Sequence, residues 1–208
     1  MILKFDRLIQ FFITISYREE TDPGYHSHLH PAYRILYNTK VTYTRSGVPF
    51  YMIVIGIDPG LARLGYGVIE LNKGEILPVC YGCIETSGKN LRTSERLLKI
   101  YTEVGELFDN HRPGYLSLEK LFFTKNITSA MGVSEVRGIV LLLAEQRKVP
   151  IAEYTPNQVK QAVTGSGRAD KRQMQEMIKR LLRLNEIPTP DDAADALSIA
   201  LCHIHIMR

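Results

Sequence analysis

Four acidic residues have the types and the placement that a divalent cation site needs. Asp58 and Glu119 each follow a short apolar run that is typical of a buried strand. Asp192 and Asp195 are three positions apart, so they share one face of a predicted helix. Mg²⁺ prefers carboxylate, water and phosphate oxygens, and a pair of such ions can activate a water and stabilise the leaving oxygen in phosphodiester cleavage. The pattern therefore favours metal-dependent cleavage of a phosphodiester.

Each acidic residue, taken alone, has a plainer interpretation. Asp58 begins an Asp-Pro-Gly sequence, which is a common turn signal. Asp192 lies near a predicted helix start, where a negative charge stabilises the helix dipole. Glu119 precedes Lys120 and could be an ordinary surface charge. The metal hypothesis therefore depends on the combination and on the order of strands and helices that carries it.

Basic and aromatic side chains follow Glu119 and could hold a nucleic acid. Cationic groups beside a metal site would contact the phosphate backbone and make binding salt-dependent. Phe122 and Phe123 lie in a predicted loop, where an aromatic ring can stack on an unpaired base. The alternatives stay open: a solvated charged face, and a core position for one of the two phenylalanines. The cationic candidates are Lys120, Lys125, Arg137, Lys160, Lys171 and Arg172.

The elements that must position these residues follow from hydrophobic periodicity. Strands are predicted over 53–57, 65–71, 77–85, 115–118 and 149–154. The first three form an antiparallel meander, and Pro78 places the third at a sheet edge. Helices are predicted from an N-cap at Ser94, over 129–146, over 156–163, from an N-cap at Asp170 to Leu184, and over 191–205. This order predicts an α/β fold with a mixed sheet.

Residues 1–51 differ in character from the rest of the chain. They hold more than half of the aromatic residues and none of the cysteines. The apolar run at 8–15 is short and lacks a following cleavage signal, which argues against a secretory signal. His26, His28 and His30 could be a metal tract, but a loop is favoured because no cysteine or carboxylate cluster completes a site. We expect 1–51 to be an N-terminal extension and 52–208 to be the catalytic domain.

Composition excludes several classes of protein. The 208 residues are 45% hydrophobic and 23% charged, values that are ordinary for a globular chain. Three cysteines are too few for a disulfide scaffold and suggest a reducing compartment. The net charge of +4 permits an acidic partner without requiring one. No apolar run approaches the ~20 residues of a membrane span.

Two further groups of residues were weighed as ligands. Cys80 and Cys83 form a C-x-x-C pair that could be half of a zinc site, completed by Cys202, His203 and His205. A single such pair inside a strand is weak evidence for zinc. His203 is expected to be a packed core residue. The alternative is that it contacts the metal ligands without binding the metal itself.

Several motifs together resemble the RuvC family of Holliday junction resolvases. The resemblance covers residue 52 to about residue 203, and its motifs are specific in combination. It implies a ribonuclease-H-like fold with helices on both faces of the sheet, a homodimer, and Mg²⁺-dependent symmetric nicking of four-way DNA junctions in recombination and repair. The motifs are G-I-D-P-G at 56–60, G-Y-G at 65–67, E-K-L-F-F at 119–123 and D-D-A-A-D-A-L at 191–197, with K-N at 125–126, V-R-G at 136–138, Q-V-K-Q at 158–161 and A-D-K at 169–171.

The resemblance also implies roles for individual residues. The catalytic and metal-binding positions are Asp58, Glu119, Asp192 and Asp195, with two Mg²⁺ ions expected and Mn²⁺ able to substitute. The DNA-binding positions are Phe122, Lys125, Arg137, Lys160 and Lys171. A branch-migration complex is the expected protein partner, and a cytoplasmic location away from membranes is expected. Leu64 departs from the hydroxyl residue often found before G-Y-G, and nothing in the family pattern corresponds to 1–51.

Two other functions were considered. An ATPase or sugar kinase of the actin-like group also places an Asp and glycines after a strand, but that architecture needs two such domains and the chain is too short. A non-enzymatic junction-binding protein would keep the fold without the chemistry. The presence of all four carboxylates argues against it. Incubation with a four-way junction and Mg²⁺ would distinguish such a protein from a resolvase, because only the resolvase makes nicks.

Overall fold

A computed structural model describes residues 41–43, 49–87, 91–120 and 127–207. Its strands are β1 (Val41–Tyr43), β2 (Pro49–Asp58), β3 (Arg63–Asn72), β4 (Glu75–Glu85), β5 (Tyr115–Glu119) and β6 (Ile151–Tyr154). Its helices are α1 (Thr93–His111), α2 (Ile127–Gln146), α3 (Pro156–Thr164), α4 (Lys171–Leu181) and α5 (Asp191–Met207). These elements follow the predicted order along the chain.

The strands form one mixed sheet in the order β4-β3-β2-β5-β6, and β1 pairs with the start of β2. β2, β3 and β4 are antiparallel neighbours, whereas β5 is parallel to β2 and β6 is parallel to β5. The predicted meander is therefore confirmed, and Pro78 lies in the edge strand β4 as expected. The fold is the predicted ribonuclease-H-like α/β arrangement.

Helices cover both faces of the sheet. Successive residues of a strand point to opposite faces, so each strand contributes side chains to two apolar layers. Val54 and the other inward residues of one face pack against α3, α4 and α5, with Leu201 of α5 in the same cluster. Ile55 belongs to the opposite face, where it packs with Phe108 of α1 and Leu143 of α2. All five of these side chains are at most 1% exposed. Two separate apolar layers thus hold the sheet between the helices.

A glycine lets α5 lie directly on the sheet backbone. A Cβ atom on Gly56 of β2 would be 2.2 Å from the carbonyl oxygen of Ala196 and 2.6 Å from the backbone nitrogen of Ala200. No side chain fits in that space, so the small residues of α5 face the small residue of the strand. This close packing fixes the depth of α5 against β2.

Several helix ends differ from the predicted ones by a few residues, and two of these differences have a visible local cause. The predicted N-cap at Ser94 is wrong, because α1 begins at Thr93 and the carboxylate of Glu95 accepts a hydrogen bond from the backbone N–H of Arg92 at 2.8 Å. α4 ends at Leu181, and Arg183 beyond it takes a positive φ of 52° that stops the helix before Leu184. The N-cap at Asp170 is confirmed, since its carboxylate accepts from the backbone N–H of Gln173 at 2.8 Å.

The predicted start of the catalytic domain at residue 52 lies inside a strand. β2 begins at Pro49, and Val41 pairs with Met52 across the β1–β2 ladder. That 52–208 forms the catalytic domain by itself stays a prediction. His26, His28 and His30 lie outside the described residues. Among the helices that the structure describes, none is long and apolar enough to cross a membrane.

Candidate active site

The fold brings the four acidic residues to one edge of the sheet. Asp58 is the last residue of β2 and Glu119 is the last residue of β5. These strands are parallel neighbours, with Ile57 opposite Leu118, so both carboxylates leave the sheet at the same edge. Asp192 and Asp195 lie at the start of α5, which packs across β2 and β3. Local strand and helix signals thus predicted a real spatial cluster.

A cleft of 370 Å³ lies over this edge. Three of the acidic residues line it, namely Asp58, Glu119 and Asp195, and Lys160 of α3 and Lys171 of α4 supply positive charge to its wall. Apolar and hydroxyl groups complete it: Pro156, Val159, Met174 and Ser198. A larger groove of 700 Å³ lies elsewhere and contains none of the acidic residues. The acidic cluster therefore opens into the smaller cleft.

Asp58, Glu119 and Asp195 hold their protons more tightly than free carboxylates do. Burial raises the pKa of Asp58 to about 7, and the charges of Asp195, Asp192 and Glu119 add to that rise. Burial also raises the pKa of Glu119, with Asp195 adding to the rise and Lys160 opposing it. Burial raises the pKa of Asp195 as well, against the opposing charge of Lys171. Clustered, desolvated carboxylates of this kind favour any cation that can replace the protons.

Asp192 stands beside a residue that the sequence did not single out. Nε of Arg63 in β3 lies 3.2 Å from Oδ2 of Asp192. The two groups form an ion pair, yet Oδ2 is buried and has no hydrogen-bond partner. Asp191 next to it pairs with Nζ of Lys171 at 2.7 Å. Asp192 therefore keeps a buried oxygen without a donor.

The donor set fits a hard divalent cation. Mg²⁺ and Mn²⁺ take carboxylate oxygens, and four carboxylates stand at this edge, one of them with the orphaned oxygen of Asp192. Within the described ranges, no three Asp, Glu, His or Cys side chains already stand close enough together to hold an ion. Binding a cation would therefore draw the carboxylates inwards. The same finding leaves the zinc alternative at Cys80 and Cys83 without a described group of ligands.

The predicted DNA-binding residues fall into three groups. Lys160 and Lys171 line the cleft, and the Lys171 side chain is 58% exposed. Arg137 is instead 13% exposed and forms an ion pair with Glu153 of β6. Phe122 and Lys125 lie outside the described residues. The assignment of DNA contacts to these five residues stays a prediction.

His203 is a core residue, as expected. It is 2% exposed, and its Nδ1 lies 2.7 Å from the hydroxyl of Tyr154. The ring of Tyr115 lies 4.4 Å away, centre to centre. Burial lowers the pKa of His203 to about 4, so the imidazole is neutral at pH 7. It packs behind the site without entering the cleft.

Comparisons with known proteins place this chain beside one family of nucleases. The family model described as crossover junction endodeoxyribonuclease RuvC matches residues 54–203. A RuvC from Pseudothermotoga lettingae is 51% identical over 152 residues, covering 73% of this chain and 93% of that protein. One from Desulfitobacterium hafniense is 50% identical over 154 residues, covering 74% and 93%.

Solved structures show the same similarity. Thermus thermophilus RuvC in complex with a Holliday junction substrate superposes with a TM-score of 0.69 at 37% identity, covering 73% of this chain and 92% of that one. A yeast mitochondrial Holliday junction resolvase has a TM-score of 0.55 at 15% identity, which is a likeness of fold alone.

Proposed function

The chain belongs to the RuvC family of crossover junction endodeoxyribonucleases, and we propose that it resolves four-way DNA junctions with Asp58, Glu119, Asp192 and Asp195. The observation that carries the proposal is the convergence of these residues from two parallel strand ends and one helix. A cleft with acidic groups at its base and Lys160 and Lys171 on its wall suits a phosphodiester, whose phosphate oxygens need both a metal and cationic side chains.

The family uses a metal, and we propose Mg²⁺ for this chain, as a pair of ions held by the four carboxylates, with Mn²⁺ able to substitute. Bound there, such ions supply activation of the attacking water and stabilisation of the departing oxygen. The chain's own groups do the rest. Lys160 and Lys171 hold the phosphate backbone in the cleft, and the desolvated walls strengthen every charge interaction inside it.

The proposed DNA contacts extend beyond the cleft. Lys125 would hold the phosphate backbone, and Phe122 would stack on a base at the junction, a contact worth about 1–3 kcal/mol per base. Both residues follow Glu119 closely in the chain. Arg137 was predicted as a further contact, but its burial and its ion pair with Glu153 support a different role.

We propose a homodimer, because paired nicks in a four-way junction need two active sites. Large apolar side chains on the outer surface of α1 and α2 support this proposal. Leu98 of α1 is 64% exposed, and Met131 and Leu142 of α2 are 62% and 53% exposed. Replacing Leu98 and Met131 by Lys should shift the mass measured by light scattering from dimer to monomer. A branch-migration complex as protein partner and a cytoplasmic location complete the proposal.

A synthetic four-way junction tests the function. With Mg²⁺ the chain should produce two symmetric nicks. Asp58→Asn keeps the size of the side chain and removes its charge, so it should abolish nicking while junction binding persists, because phosphate contacts dominate affinity. Asp109→Asn is the matched control, since Asp109 of α1 pairs with Arg147 just after α2, and neither residue lines the cleft. Junction binding by the unmodified chain without any nicking would favour the non-enzymatic alternative.

A further inference from the structure

Arg137 contacts the backbone of a metal-ligand candidate. Its Nη1 donates a hydrogen bond to the carbonyl oxygen of Glu119 at 3.1 Å. Its Nη2 forms an ion pair with Oε1 of Glu153 on β6. The Arg137 side chain is only 13% exposed, whereas that of Glu153 is 37% exposed. A guanidinium committed in this way has little left to offer a phosphate.

The pairing of β5 with its two neighbouring strands explains why the Glu119 carbonyl needs a side-chain donor. The backbone N–H of Lys120 bonds to the Tyr154 carbonyl on β6, so the N–H and C=O of Glu119 face β2 on the other side. The β2–β5 register pairs Ile57 with Leu118, and its continuation sets Glu119 opposite Asp58. In that parallel pattern the donor for the Glu119 carbonyl would be residue 59. That residue is Pro59, which has no N–H.

Glu153 fixes the other end of the guanidinium. It lies opposite Leu118 in the β5–β6 register, one residue before the end of the pairing. Two contacts at different nitrogens orient the plane of the arginine, which a single contact would leave free to turn. A nearly buried guanidinium also needs a counter-charge, and Glu153 supplies it. Arg137 thus ties α2 to the ends of β5 and β6 at the point where Glu119 enters the cleft.

We propose that Arg137 is a positioning residue that holds the backbone of Glu119, and through it the direction of the Glu119 carboxylate, with Glu153 as its anchor. This inference rests on the proposed nuclease function. The positioning role assigns Arg137 a contact within the protein in place of the predicted DNA contact. The positioning role and the DNA-binding role make opposite predictions for Glu153. A phosphate-binding Arg137 is weakened by a neighbouring carboxylate, whereas a positioning Arg137 depends on it.

Three variants of the full chain separate the two roles: Arg137→Lys, Arg137→Gln and Glu153→Gln. Lysine keeps the charge but cannot span both partners with a planar fork. If Arg137 positions Glu119, all three variants should lower the rate of junction nicking by about 10- to 100-fold, the usual loss when a group behind a metal ligand is removed. Junction binding measured with Ca²⁺, and its dependence on salt, should stay within about two-fold of the unmodified chain.

Mn²⁺ binding gives a readout that does not depend on nicking. Calorimetry with Mn²⁺ alone should show affinity weakened by about 10-fold in the same variants. Lys160→Gln is the contrasting variant, because the loss of a phosphate contact should lower junction affinity and the salt slope without weakening Mn²⁺ binding. Circular dichroism checks that each variant is folded. If Arg137→Gln does not fold, Glu153→Gln is the variant that tests the positioning role.

Three results would overturn the proposal. They are wild-type nicking by Arg137→Lys, wild-type nicking by Glu153→Gln, and a loss of junction affinity with a shallower salt slope in the Arg137 variants. If the unmodified chain does not nick junctions, the proposed function fails instead. The Mn²⁺ titrations then still decide whether Arg137 holds the site.

Discussion

Gly65 and Asp192 touch through their backbones: a Cβ atom on Gly65 would lie 2.0 Å from the carbonyl oxygen of Asp192. Gly65 belongs to β3 and lies opposite Asp58 in the β2–β3 ladder. The first turn of α5 therefore rests directly on the strand that neighbours Asp58. The first glycine of the G-Y-G sequence sets the distance between two of the acidic residues.

Gly65→Ala should displace the start of α5. The added methyl group meets backbone atoms that cannot turn away, and such overpacking costs about 1–3 kcal/mol. Because a shift of about 1 Å near reacting groups can cost 10²-fold, nicking should fall by about that factor while the melting temperature drops. Gly138→Ala is the control, since nothing lies within 4 Å of its Cβ position, and it should leave the melting temperature unchanged or raised. Full activity of the Gly65→Ala variant would show that α5 moves without cost.

Arg63→Gln should strengthen metal binding. Arg63 neutralises Asp192 in the absence of a cation and competes with one. The pair is partly exposed, and such pairs are worth about 0.2–1 kcal/mol, so Mn²⁺ affinity measured by calorimetry should rise, by about five-fold at most. Arg183→Gln removes an exposed ion pair with Glu75 away from the cleft and should change nothing. Weaker Mn²⁺ binding by Arg63→Gln would mean that Arg63 helps to hold the site together.

The stability of the metal-free protein should depend on Asp58 and pH. The pKa of Asp58 is raised from 3.8 to about 7 by burial and by its acidic neighbours, so the folded state binds a proton that the unfolded state releases. The stabilisation by that proton is complete below pH 3.8 and is lost as the pH rises through about 7. Each unit of pKa difference is worth about 1.4 kcal/mol, so this proton contributes at most about 4 kcal/mol to the free energy of unfolding.

Asp58→Asn should therefore melt at a higher temperature than the unmodified chain at pH 8 in a chelator, and the difference should shrink at pH 5. Adding Mg²⁺ at pH 8 should raise the melting temperature of the unmodified chain and leave the variant nearly unchanged. Equal differences at the two pH values would show that Asp58 titrates normally.

The chain of residues 52–208 should still nick junctions, because all the motifs lie within it. It should melt at a lower temperature than the chain of residues 41–208, since it loses the β1 pairing and the first residues of β2. Comparing both with the full chain separates the contribution of β1 from that of residues 1–40. An inactive 52–208 beside an active 41–208 would place the start of the working domain upstream of Met52.

Local patterns predicted most of the fold and the convergence of the four carboxylates, because strand ends and helix faces are encoded by neighbouring residues. The contacts that the sequence did not reveal join distant positions. Arg63 meets Asp192, and Arg137 meets Glu153, with no periodic signal linking either pair. Arg137 was predicted to bind DNA because its charge is visible in the sequence, whereas its burial depends on how α2 packs.

The placement of α5 after the other described elements has a consequence for the protein while it is being made. A nascent chain that has reached residue 190 already carries Asp58, Glu119 and both cleft lysines, but neither Asp192 nor Asp195. It also lacks the helix that covers β2 and β3. If the proposed site is correct, we expect nuclease activity only after the ribosome has supplied α5. On the same proposal, a premature stop codon before that point should yield an inert fragment and not an uncontrolled DNA-cutting one.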